Sequence, residues 1–290
     1  MLRAWLVVLY IGLIDAVWVW AGGWSVPYGE WLFSRIPWIA LLVPLVFERY
    51  RSDLRLSSTL LATAWLVAYS ELASALSYLA LSVGSPLADG ALARWDAALG
   101  FDWAAAVEWV HARPLLQFVL QQAYHSGLIQ VALVVVYLGF SARTEQLHEW
   151  LWLYMVGTLI AIATSMVAPA AGPWIATPTT FDSSVMSDFI PLHSGATHTL
   201  NLVHLQGLVS MPSVHAMMAV LFVYAMRGTG IVQAPFIVLN VLMLVATPTE
   251  GGHYLVDVIA GILCTVALIV ASRRASTAAD PIGERSPVRP

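Results

Sequence analysis

Apolar residues in this chain neither alternate nor follow a single helical stripe. They come in long, nearly unbroken blocks separated by short polar stretches. A helix that crosses a bilayer needs about 20 mostly apolar residues. Eight blocks meet or approach that length, roughly 4–22, 31–47, 59–82, 115–139, 150–168, 212–226, 231–248 and 253–272. Helices that are apolar all round belong in lipid or in a packed core. The pattern therefore predicts an all-α, polytopic integral membrane protein with about eight transmembrane helices in a single membrane domain, 1–272. The blocks at 31–47, 212–226 and 231–248 are the shortest. The first is too long for a leader's apolar core and carries Asp15, so it reads as a retained span. Two long connections remain, 84–114 and 169–211, and the tail 273–290 is Pro/Ser/Arg-rich without periodicity, which predicts disorder.

Composition agrees with lipid as the solvent. Charged residues make up 10% of the 290, against about 25% in a soluble domain, and mean hydropathy is +0.77. The net charge of -4, with no basic cluster, excludes nucleic acid as a partner. All 13 basic residues are Arg. With the N-terminus inside, ten of them fall on the cytoplasmic side, and only Arg35, Arg94 and Arg113 fall outside. This asymmetry predicts a bacterial-type plasma-membrane protein with both termini cytoplasmic and both long loops extracytoplasmic. The single cysteine, Cys264, excludes an internal disulfide.

The candidate chemistry sits before two of these helices. Ser210-Met-Pro-Ser-Val-His215 precedes one apolar block, and Gly251-Gly-His-Tyr-Leu-Val-Asp257 opens another. Both helix N-termini then open on the outer face, where free N–H groups and the positive dipole end suit a phosphate. Ser210 or Ser213 supplies a hydroxyl for capping or for the ligand. His253 and Asp257 are four apart and share one face, so the carboxylate can hold Nδ1–H and free Nε2 as a nucleophile. His215 can pass a proton to a leaving oxygen. Such a phosphoryl-transfer site needs no metal and no cofactor.

Pro212-Ser213-x-His215 followed by His253-x-x-x-Asp257 resembles the type-2 phosphatidic acid phosphatase superfamily. The form His253-Tyr254-Leu255-Val256-Asp257 is most similar to its lipid phosphotransferase branch, the inositol phosphorylceramide and sphingomyelin synthases. The likeness is strongest over 169–272, with further similarity at 86–103 and 124–130. It implies a six-helix core and a phosphohistidine mechanism in which His253 attacks phosphorus, Asp257 orients it and His215 protonates the leaving group. The family's phosphatases also bind phosphate with an upstream Lys/Arg motif and an Arg six residues before the nucleophile. Here Thr247 holds the latter position, and 171–178 contains no cation. A singly charged diester loses less than a monoester when fixed cations are missing. The expectation is thus headgroup transfer from a membrane phospholipid to an alcohol or water. The alternatives are a phosphomonoesterase or polyprenyl-pyrophosphate phosphatase, or a non-catalytic scaffold or transporter. Arg94 and Arg113 are the outer cations available to replace the missing ones, and Gly172 and Trp174 stand where the upstream motif would be.

Several secondary expectations follow. Residues 86–112 read as two interfacial helices, with Leu87, Leu92, Trp95 and Leu99 toward the bilayer and Asp102 capping the second. Asp89 and Asp96 share the opposite face and read as structural. In the loop 169–211, His193, His198 and His204, with Asp182 and Asp188, are spaced wrongly for zinc and read as headgroup-recognising. Within the bilayer Asp15, Gln121, Gln122 and Gln130 need partners, and Glu71 and His125 are expected to pair.

Overall fold

The computed structural model describes residues 2–176, 184–203 and 205–279, so Asp182, His204 and the tail beyond 279 lie outside the described residues. The chain forms helices α1 (Leu2–Ala21), α2 (Tyr28–Ala40), α3 (Glu48–Arg51), α4 (Leu54–Leu81), α5 (Asp89–Ala98), α6 (Trp103–His111), α7 (Pro114–His125), α8 (Gly127–Phe140), α9 (Thr144–Val167), α10 (Ser184–His193), α11 (Val214–Ala225), α12 (Gln233–Gly251) and α13 (Leu255–Ala279). No strand is present among the described residues, and the protein is an all-α polytopic membrane protein.

Fewer candidate spans than the expected eight are found among the described residues. Five helices there are long and apolar enough to cross a membrane, or six when α7 and α8, bent by 48° at Ser126, count as one. The block 31–47 fails because Pro37 lies inside α2, which ends at Ala40, and Pro44 follows in a 3-10 turn. Proline removes a backbone donor and crowds the preceding turn, so an apolar block interrupted twice does not run as one helix. The block 212–226 forms the 12-residue α11. The tail also differs, since α13 continues to Ala279 rather than ending near 272.

Short as it is, α11 packs against α8, α9, α12 and α13, and α4 closes the bundle by packing on α8 and α9. The core between them is aromatic. Trp65, Tyr69, Trp150 and Phe222 are fully buried, Trp65 and Tyr69 stack at 5.2 Å, and Tyr69 donates to the Met155 carbonyl at 2.9 Å. At the far end of α11 from His215, Arg227 bonds Glu149, which also accepts from Tyr224 at 2.6 Å, and Arg273 donates to the Tyr224 hydroxyl. This network ties α9, α11 and α13 at one level.

Glu71 does not pair with His125. Its carboxylate forms an ion pair with Arg35 of α2, and a full charge from the next helix is a stronger partner than an imidazole. Gln130 is satisfied by Asn240, which donates to it at 2.7 Å, while its own amide reaches Ser126. Among the described residues, both Asp15 oxygens are buried without a hydrogen-bond partner. On the interfacial helices, Asp102 caps α6 through the Ala105 N–H at 3.0 Å, and Trp95, Leu99 and Trp109 are exposed. Leu92, expected at the bilayer, is instead buried against Ala170 and Tyr254.

Candidate functional site

The start of α13 is built from outside its own sequence. The first helical N–H groups lack intrahelical acceptors, and here Asp96 of α5 supplies them, accepting from Leu255 N at 2.8 Å and Val256 N at 2.9 Å. Burial raises the Asp96 carboxyl above the ordinary aspartate range, against the opposing pull of those two N–H bonds. Asp89 acts in parallel. It accepts from Ala171 N at 3.0 Å and Gly172 N at 2.8 Å, and the Tyr254 hydroxyl donates to it at 3.2 Å. The two carboxylates fasten the 169–172 turn and the His253-bearing loop to one interfacial helix. The expectation of a free α13 N-terminus facing phosphate is corrected, because Asp96 already occupies it. Replacing Asp96 by Ala strands two donors, each costing about 1–3 kcal/mol when buried. Reduced thermal stability in detergent together with lower turnover is the expected outcome, and an unchanged melting temperature would remove the capping role.

Gly252, in the left-handed conformation at φ 64°, ends α12 and turns the chain into His253. Gly172, at φ 115°, sits so close to this turn that an added Cβ would fall 2.5 Å from the Gly252 carbonyl. The start of α11 is capped by Ser213, whose hydroxyl accepts from Ala216 N at 3.4 Å and whose own N–H donates to the Asp257 carbonyl at 3.0 Å. Pro212 precedes the cap rather than occupying the first turn. The N–H groups of Val214 and His215 have no acceptor within the helix.

These elements bring His215, His253 and Asp257 together. The two imidazole centroids are 6.3 Å apart in an edge-on arrangement. Asp257 is fully buried, with one oxygen 3.7 Å from His253 Nδ1 and held by the Tyr254 N–H at 3.1 Å. That separation exceeds a hydrogen bond, and such contacts commonly tighten only when substrate is bound. A cavity of about 250 Å³ opens on both histidines, and Ser210, Trp174, Ser74 and Tyr154 are among the residues around it. Among the described residues, no arginine, aspartate or glutamate lines it.

Residues 90–271 match the family model of the PAP2 superfamily, a stretch of more than half the chain. The chain belongs to the PAP2 superfamily. No curated protein and no solved structure matches it. Membership brings phosphatase-type chemistry on phosphate esters, and in this PAP2 protein the conjunction of His215, His253 and Asp257 is where that chemistry fits. Other expected site residues stand apart. Arg113, between α6 and α7, folds back on α6, donating to the Trp109 carbonyl at 2.6 Å with its guanidinium 4.0 Å over the Trp109 ring. Arg94 is exposed on α5, and neither arginine lines the cavity. His193 bonds the Ser85 carbonyl at 2.8 Å, His198 packs on Trp24, and Asp188 accepts from Tyr78 at 2.7 Å, so all three brace the segments around 169–211. Among the described residues, no group of three His, Cys, Asp or Glu is placed to hold a metal ion. Tyr124 is the residue the motifs missed. Its ring stacks on His215 at 4.2 Å, although 91 residues separate them.

Proposed function

We propose that this protein is a membrane lipid phosphotransferase that moves a phosphoryl-bearing headgroup between alcohols through a phosphohistidine. Its active site then faces the extracytoplasmic leaflet, with both termini in the cytoplasm. In the first step His253 Nε2 bonds phosphorus, the P–O bond to the leaving alcohol breaks, and His215 protonates that oxygen. In the second, His215 takes the proton of an incoming alcohol, its oxygen bonds phosphorus, and the N–P bond breaks. Two imidazoles about one phosphoryl group apart support the sequence, since reacting atoms need to approach within about 3–3.5 Å. Asp257 behind His253 stabilises the imidazolium state.

The observation that carries the diester preference is the cavity lining, which among the described residues includes no arginine. Ser210, Trp174 and the N–H groups of Val214 and His215 suit a phosphate with one charge better than one with nearly two. The test is to incubate purified protein with a labelled phosphodiester lipid plus an alcohol acceptor, and separately with phosphatidic acid and a polyprenyl pyrophosphate. Label transferred to the acceptor is the expected result. Free phosphate released only from the monoester or pyrophosphate would overturn headgroup transfer and leave a phosphatase.

A further inference from the structure

We infer that Tyr124 is the positioning residue of His215, the counterpart of Asp257 behind His253. The inference rests on the proposed division of labour between the two histidines. The Tyr124 hydroxyl lies 3.3 Å from His215 Nδ1, and no other partner of that hydroxyl is present among the described residues. The two rings stack at 4.2 Å with 22° between their planes, which fixes the imidazole's rotation as well as its hydrogen bond. Tyr124 is itself wedged, because an added Cβ on Gly251 would fall 2.6 Å from its ring. The loop that carries His253 and the residue that holds His215 therefore pack directly on each other.

A phenol oxygen that accepts from Nδ1–H leaves Nε2 as the nitrogen that gives and later takes the proton. Nδ1–H stays in place in both half-reactions, so His215 alternates between acid and base without turning over. The two partners also differ in charge. A carboxylate behind His253 favours the positive imidazolium formed on nucleophilic attack. A neutral phenol behind His215 gives no such stabilisation, so its imidazolium releases a proton more readily.

The test is the Tyr124→Phe variant of the full-length protein, compared with wild type and His215→Ala on two phosphodiesters. One has an alkoxide leaving group that needs protonation, and the other has p-nitrophenolate, which leaves without it. The expected result for Tyr124→Phe on the alkyl ester is a drop in kcat of about tenfold at unchanged KM, part of the ~10²–10⁴-fold that a general acid contributes. On the p-nitrophenyl ester the rate of the first-turnover p-nitrophenolate burst should stay near wild type, since His215 is needed there only as the base of the second half-reaction. An equal loss on both esters, or no loss on either, would overturn the positioning role while His215→Ala still shows the leaving-group dependence. If His215→Ala shows no such dependence, the acid assignment to His215 fails, and the role of Tyr124 falls with it.

Discussion

Alanine at position 253 is expected to lower turnover on any phosphate ester by about 10⁴-fold or more, because the covalent route disappears with its nucleophile. No binding group in the cavity replaces it. The ring of His215 is 6.3 Å away, centre to centre, and is held by Tyr124 rather than by a carboxylate. The second readout is chemical. Wild-type protein quenched during turnover should carry an acid-labile, base-stable phosphoryl label, and the variant should carry none. Asp257→Asn should retain the label but accumulate it slowly, since an amide cannot stabilise the imidazolium that attack creates. Residual activity in His253→Ala within tenfold of wild type would sink the assignment of the nucleophile.

Gly261→Ala is expected to have the next largest effect, although Gly261 touches no substrate. An added Cβ there would stand 2.6 Å from the Ser213 carbonyl and 3.0 Å from the Ala216 Cβ. Close approach through a small residue is how two helices pack backbone to backbone, and α11 and α13 meet here just below the two histidines. A methyl group forces them apart. Overpacking of this kind costs about 1–3 kcal/mol, and a shift of roughly 1 Å at a reacting pair costs about 10²-fold in rate. Turnover and thermal unfolding of the same detergent-solubilised preparation check both. A variant with wild-type kcat would show that the helices absorb the methyl elsewhere.

Both motifs were readable because they are local, with every residue needed to recognise them lying within a few positions on one helix start. The long apolar blocks of α4, α9, α12 and α13 were readable for the same reason. Failures came where one part of the chain is completed by another. Asp89 and Asp96 carried only a seven-residue spacing, and nothing in that spacing says that their oxygens end on the N–H groups of residues 171, 172, 255 and 256. Arg35 was counted among the three outer arginines, and that count gave no sign that it pairs with Glu71 of α4. Tyr124 opened the 124–130 stretch that resembles the family, but nothing in that stretch pointed to His215, 91 residues away. The second apolar block contained its own warning in Pro37 and Pro44, which composition averaged away.

The length of α11 fixes how deep the reaction takes place. Twelve residues rise about 18 Å, against about 30 Å of hydrocarbon. Its far end is moored in the charged network of Glu149, Arg227 and Arg273, which belongs at a membrane surface. In the proposed topology, with that network at one boundary of the hydrocarbon, His215 lies roughly 12 Å beneath the opposite boundary. A phosphate must leave the headgroup plane to reach it, drawn down while its acyl chains stay in lipid. Bulk water faces the same descent, which puts it at a disadvantage against an alcohol already anchored in the leaflet. Under the proposed transfer, the short helix adds a geometric reason for exchange over hydrolysis.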